Sequence, residues 1–454
     1  MGNGAADTRL RERIAGLMGQ VRGELAELVA IPSVADPRQF PPEECARAAR
    51  WVRDAFGGVG FSDARLAETA DGSQAVLGTR QGPGPDAATV LLYAHYDVQP
   101  PLNEADWRTP PFELTEVDGR WYGRGTADCK GNILVHLTAL RALGDEVPVH
   151  LKLVVEGSEE TTGGLEDFVP QHADLLRADA ILVCDAGNAA VGHPAVTVSL
   201  RGVADVIVHV EALASELHSG VFGGAAPDAL AALVVMLATL RDARGNTTVR
   251  GLDNTQVWPG APYAAETFRA DADVLDGVSL LGDGAVADMI WSRPAVTILG
   301  IDCPPVLGSA PAITPRASAR LNLRVPPGTQ IGPAAEALVS QLHAVAPWGV
   351  HVTADIEAPG SPFQARTGGP AYQAIAAAMQ EAYGRPMVTL GDGGSIPLCN
   401  VLADTYPDAE LILLGVEEPL ARIHAPNESV DPAEIAAMAL AEALFLQRYA
   451  ALRR

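Results

Sequence analysis

Residues 88–97 read Ala-Thr-Val-Leu-Leu-Tyr-Ala-His-Tyr-Asp, an apolar run that ends in two groups able to bind a cation. The run from Ala88 to Tyr93 predicts a buried strand, and His95 and Asp97 stand just beyond it. The arrangement recurs downstream. Val149 to Val155 leads into Glu156-Gly157-Ser158-Glu159-Glu160, and Ala180 to Cys184 leads into Asp185. Helical stretches such as Asn132 to Leu143 separate these runs, and the alternation predicts an α/β sheet with helices on its faces. In such sheets ligands sit in the crevice beyond the carboxyl ends of the strands.

Toward the N-terminus, Ile14, Leu17, Val21, Leu25, Leu28 and Val29 recur at helical spacing, so residues 8 to 31 predict an amphipathic helix that stops at Ile31-Pro32. Toward the C-terminus the pattern changes near Leu200. A strand (Ala204 to Val210), a helix (Pro227 to Leu240), two strands (Ala295 to Gly300, Ala317 to Val325), a helix (Pro333 to Val345) and a strand (Val350 to Ile356) follow. That order, β-α-β-β-α-β, is the ferredoxin-like unit. A Gly- and Asp-rich insertion at 243–292 interrupts it and has no legible structure. The last hundred residues return to α/β character, with a strand at Leu411 to Leu414 and a closing helix from Pro432. The expected fold is therefore α/β, with a discontinuous domain (1–199 and 358–454) into which a smaller α+β domain (200–357) is inserted.

A chain of 454 residues, 48% of them hydrophobic, has ample material for two cores. Acidic residues outnumber basic ones by 56 to 32, a field that repels phosphate backbones and anionic lipids, so neither nucleic acid nor a membrane is an expected partner. The start, Met1 to Ala6 followed by Arg9, Arg11 and Arg13, has no apolar core of a secretory signal. No unbroken apolar run reaches the roughly 18 residues of a spanning helix. A cytoplasmic location is expected. Cys45, Cys129, Cys184, Cys303 and Cys399 are scattered and lack C-x-x-C spacing, which suits reduced, packed thiols.

Five segments place metal-ligating groups after a strand or in a Gly-rich turn: Ala94-His95-Tyr96-Asp97, Gly123-Arg124-Gly125-Thr126-Ala127-Asp128, Glu156 to Glu160, Cys184-Asp185 and Ile423-His424-Ala425-Pro426-Asn427-Glu428. Each alone is an ordinary loop sequence. Together they bring imidazoles and carboxylates toward one site, and an N/O donor set of that kind suits zinc, manganese or cobalt.

The chain resembles the M20 family of metallopeptidases, and within it the dipeptidase branch that includes cytosolic carnosinase-like enzymes. The resemblance runs from about residue 10 onward. It rests on His95-x-Asp97, the stretch Trp107 to Gly131 that ends Gly-Arg-Gly-Thr-Ala-Asp-Cys-Lys-Gly, Glu159-Glu160, Leu217-His218-Ser219-Gly220 and Gly393-Gly394-Ser395-Ile396-Pro397. It implies a di-metal hydrolase of dipeptides or very short peptides with a free terminal carboxylate. Two divalent metal ions, zinc first and manganese or cobalt as alternatives, would share Asp128. His95 and Asp185 would complete one shell, and Glu160 and His424 the other. A water shared by cations about 3.5–4 Å apart would be the nucleophile, with Glu159 as general base. Asp97 would orient the His95 ring.

The resemblance further implies that the inserted domain is a lid and dimerisation domain. Its His218 would stabilise the oxyanion, in dimeric members from the neighbouring subunit, so a homodimer is expected. Arg324 would clamp the substrate carboxylate, assisted by Gly394 and Ser395. Asp at 185 is the residue that aminopeptidase and dipeptidase members tend to carry, where carboxypeptidases and deacylases tend to carry Glu. The alternatives are an N-acyl-amino-acid amidohydrolase or carboxypeptidase on the same centre, and a non-catalytic metal-binding scaffold. The sequence departs from the family pattern at Cys129, at Thr161-Thr162-Gly163, at Gly391-Asp392 in place of Arg-Glu, and at Ala312-Ile313-Thr314-Pro315.

Overall fold

The computed structural model describes residues 3–394 and 396–453, with side chains from residue 7 onward. They form two compact units, one within Met1–Val198, Ala365–Leu390 and Pro397–Arg454, the other within Ser199–Gln364 and Gly391–Ile396.

The first unit is built on a mixed sheet. Its neighbours run Arg65–Glu68, Gln74–Arg80, His150–Glu156, Thr89–His95, Ala180–Cys184 and Glu410–Leu414. The last four are mutually parallel, with His95 opposite Glu156, and Leu414 opposite Cys184. Nearly every residue of Thr89–His95 and Ala180–Cys184 is buried, which is why these strands read as unbroken apolar runs instead of alternating ones. The strand predicted at Ala88 to Tyr93 extends to His95, so the imidazole sits on the strand's last residue. Parallel strands end at one edge, and the segments after His95, Glu156, Cys184 and Leu414 all emerge there.

Helices Asn3–Val29, Lys130–Leu143, Pro370–Tyr383 and Pro432–Leu452 pack in series against one another. The closing helix is long and apolar enough to cross a membrane by composition, yet 67% of its apolar window is buried within the unit. Its hydrophobicity, spread over all sides, is that of a central core helix. Helix Pro42–Gly57, which the sequence reading passed over, buries Ala48, Ala49, Val52 and Phe56 along one stripe.

The second unit contains the ferredoxin-like order. Strands Gly202–Glu211, Ala295–Asp302, Arg316–Val325 and His351–Gly360, with helices Ala229–Ala238 and Ile331–Val345, form a sheet in which Gly202–Glu211 and Arg316–Val325 are central. All its pairs are antiparallel. Strict alternation decides the buried face: Ala204, Val206, Val208 and Val210 meet Leu321, Leu323 and Val325, and Leu233, Met236, Leu338 and Leu342 of the helices cover them. The unit reaches beyond residue 357 because the last strand keeps pairing as far as Gly360, opposite Val203.

The insertion 243–292 contains helix Ala265–Asp271, a π-turn at Asp288–Ser292 and an aromatic cluster. Trp291 lies 5.2 Å from Trp258 and 5.9 Å from Tyr263 between ring centroids. It also explains one departure from the family pattern. A Cβ at Gly391 would fall 2.7 Å from the Trp291 side chain, so the arginine common at that position has no room here.

Candidate metal centre

The parallel edge of the first unit gathers the predicted ligands. His95, buried at the end of its strand, places Nε2 3.0 Å from Asp128 Oδ1 and 3.0 Å from Asp185 Oδ1. Asp185 follows the strand Ala180–Cys184, and its amide donates to Leu414 O, which continues the parallel ladder by one step. On the other side of Asp128, Oδ2 lies 2.9 Å from His424 Nε2, and that nitrogen is 3.2 Å from Glu160 Oε2. One carboxylate thus faces both imidazoles, each of which also faces a second acid. His424 itself has φ +61°, a left-handed backbone that turns its ring out of the 423–428 loop.

Asp128 sits in a loop closed by Lys130 N donating to Gly125 O. Gly125 has φ +86°, and a Cβ there would come within 2.7 Å of Val98 Cγ1, so the loop requires glycine at that point. Asp97 does more than the expected bracing of His95. Its backbone oxygen is 3.1 Å from His95 Nδ1, while its carboxylate accepts Glu159 N at 3.1 Å and Glu160 N at 3.0 Å. A single aspartate therefore fixes the imidazole ring and the backbone that carries both glutamates.

The electrostatics follow from crowding acids in a poorly solvated place. Burial, then the Asp185 charge, raises the Glu159 carboxyl well above its ordinary value. Burial, then the Asp128 charge, pushes Glu160 up to about 7. Burial works against ionisation of Asp128 as well, but hydrogen bonds with His424 and His95 prevail and hold it below the usual carboxylate range. Hydrogen bonds to Asp128 and Glu160 push His424 up to about 11. Asp97, Asp128, Asp185, Glu159 and Glu160 outnumber the two imidazoles, and buried like charges of that kind are stable only beside cations. Among the described residues, Glu160 Oε1 is buried without a hydrogen-bond partner. His95, Asp128 and Glu160 offer donor atoms that all lie within 4.8 Å of one another. These residues fit divalent cations, and cations bound beside Glu159 and Glu160 would lower both acids again.

Glu417 and Gln99, at this edge, had no place in the sequence reading. Glu417, three residues after the strand Glu410–Leu414, brings its carboxylate within 4.8 Å of Asp128 and Asp185. The rule that ligands collect beyond parallel strand ends would have found it. Gln99 Nε2 donates to Glu160 Oε2 at 2.7 Å. Cys129, the unusual residue after Asp128, has its thiol donate to Cys184 O at 2.9 Å, which ties the Asp128 loop to the strand that delivers Asp185.

In the second unit, His218 is exposed on the short strand Leu217–His218, which pairs with Ala312–Ile313, and its Nδ1 accepts Gly220 N at 3.0 Å. Arg324, half-buried and opposite Val203, points to the sheet face away from the helices, with Nε donating to Asn322 Oδ1 at 3.0 Å. Burial and the nearby Arg324 charge push Arg201 down to about 10. Gly394 N donates to Asp392 Oδ1 at 2.6 Å. Ser395 lies outside the described residues.

A parallel sheet edge that presents imidazoles and acids as cation donors, joined in one chain to a ferredoxin-like insertion, is the design of a metallopeptidase. The sequence model of Peptidase family M20/M25/M40 matches residues 91–448. The chain belongs to that family. A cysteinylglycine-S-conjugate dipeptidase of Corynebacterium striatum is 43% identical over 99% of this chain and 100% of its own length. The crystal structure of human carnosine dipeptidase 1 superposes with a TM-score of 0.81 at 25% identity, covering 98% of each chain. That of the dipeptidase Dug1p from Saccharomyces cerevisiae gives 0.81 at 22% identity, again over 98% of each chain, and shares the fold.

Proposed function

We propose that the protein hydrolyses the amide bond of dipeptides, or of very short peptides, that carry a free amino group and a free terminal carboxylate. The observation that carries this reading is Asp128 poised between His95 and His424, a carboxylate placed to serve two cations at once. The full-length likeness to a dipeptidase supports the substrate class, and so does Asp at position 185.

His95, Asp128 and Asp185 would hold one divalent cation and Asp128, Glu160 and His424 the other, and the imidazole and carboxylate set favours zinc, with manganese or cobalt as substitutes. When bound, such cations polarise the scissile carbonyl and acidify water. The chain's own groups do the rest. Glu159 accepts the proton of the attacking water and returns it to the leaving amine. Asp97 keeps Glu159 and His95 in place. His218 donates to the oxyanion that develops on the carbonyl, and Arg324 pairs with the substrate carboxylate, assisted by Gly394 and Ser395.

The working form is a homodimer in the cytoplasm. Ile298, Leu299 and Ile301 on the edge strand Ala295–Asp302, and Val306 and Leu307 just after it, are exposed, and an apolar strand edge of this kind is a surface for a second copy. Sedimentation at the mass of a single chain would remove the dimer from the reading.

Purified protein loaded with zinc or manganese is expected to release amino acids from unblocked dipeptides, to lose that activity on chelation, and to cleave N-acetylated counterparts at least tenfold more slowly. A preference for the acetylated compounds would establish the amidohydrolase reading instead. Arg324→Gln is expected to raise KM for a free dipeptide by roughly 10–100-fold, the loss of one charge-assisted pair of about 1.5–3 kcal/mol, and to change little for the corresponding dipeptide amide. Equal losses on acid and amide would show that Arg324 does not read the carboxylate.

A further inference from the structure

Glu428 is fully buried, and the donors that reach its carboxylate come from one loop. Oε1 accepts Ala127 N at 3.0 Å and Asp128 N at 3.1 Å. Oε2 accepts Gly125 N at 2.9 Å and Arg124 Nη1 at 2.8 Å. The Glu428 carbonyl accepts Gly123 N at 3.0 Å. Arg124 is anchored in turn by a bond to Pro100 O and by its position over the Trp107 ring, 5.3 Å from the centroid. Glu428 also ends the short segment that carries His424, and the next two residues pair with Trp121 and Tyr122. One side chain therefore grips the loop of Asp128 while its own backbone presents His424, across some 300 positions of sequence.

We propose that Glu428 is a positioning residue for the cation site, setting the spacing between Asp128 and His424 by clamping the 123–128 loop to the 423–428 loop. The proposal rests on the reading of Asp128 and His424 as ligands. Its physical basis is the acceptor requirement of the loop. Three backbone N–H groups and a guanidinium converge on two oxygens, and only an ionised carboxylate offers enough lone pairs to satisfy them all. Glutamine at 428 has one acceptor oxygen, and its amide would turn N–H groups against N–H groups. The loop would shift to relieve this, and Asp128, now 2.9–3.0 Å from both imidazole nitrogens, would lose its place between them. Partners that orient metal ligands from behind are typically worth about 10–100-fold in metal affinity.

The test is E428Q, assayed for Zn2+ and Mn2+ affinity by competition with a chromophoric chelator, with folding checked by circular dichroism. The expected result is a folded protein that binds at least one cation 10–100-fold more weakly than wild type. Phe56→Leu, a core substitution at a ring that packs on Phe61, serves as the comparison: it lowers the melting temperature and leaves cation affinity unchanged. Should E428Q not fold, E428D carries the same test, since it keeps the charge for Arg124 and is one methylene too short to reach every amide. Wild-type affinity for both cations in the folded variant overturns the proposal and leaves the ligand reading standing. A wild-type protein that binds no divalent cation overturns both.

Discussion

Replacing Glu159 by glutamine is expected to lower kcat for a free dipeptide by about 10²–10⁴-fold, the usual worth of a general base, with KM and cation content close to wild type. Glutamine keeps the size of the side chain, and the backbone bond from residue 159 to Asp97 does not depend on it. The substitution removes only the ability to take up a proton. Because the carboxylate acts in the transition state and not in holding the substrate, the loss falls on kcat and on kcat/KM together. The measurement is steady-state hydrolysis beside elemental analysis of the same preparation. Turnover within tenfold of wild type at full cation loading would assign the proton transfer to another group. A scaffold without catalysis would lose nothing, having no turnover to lose.

Asp128→Asn is expected to be more damaging still, in a different way. Its two oxygens face two different imidazoles, so neutralising it withdraws charge from both halves of the site at once. The cation content of the purified variant is expected to fall from two per chain to one or fewer. Activity is expected to fall at least as far as in the Glu159 variant, with excess Zn2+ restoring only a minor part. Asp185→Asn should spare the half of the site made by Glu160 and His424. Two tightly held cations in Asp128→Asn would show that this carboxylate does not bridge.

Much of this was legible because the chain writes its central strands plainly. Val90 to Tyr93 and Ile181 to Cys184 are buried on both faces, so no polar residue interrupts them, and His95 and Asp185 follow directly. The ferredoxin-like unit was readable too, since Asp205, His209 and Glu211 mark the open face of Gly202–Glu211. What escaped was decided by tertiary contact. Glu428 looked like one more acid in a loop, and its role depends on amides some 300 residues away. Trp258, Tyr263 and Trp291 find one another across an insertion with no periodicity to follow. Gly391 looked like a missing arginine until Trp291 was seen to occupy the space.

The parallel edge also has a consequence for the protein's own birth. Its donors are spread from His95 to His424 in a chain of 454 residues, and the strand Glu410–Leu414 that leads to the last of them slots beside Ala180–Cys184. At synthesis rates of about 5–20 residues per second, a growing chain carries His95, Asp128, Glu160 and Asp185 for many seconds before His424 arrives. Throughout that interval Asp128 has only one of the two imidazoles that face it. The site thus gathers only after the segment of His424 has been made, and a chain halted between Asp185 and His424 lacks it.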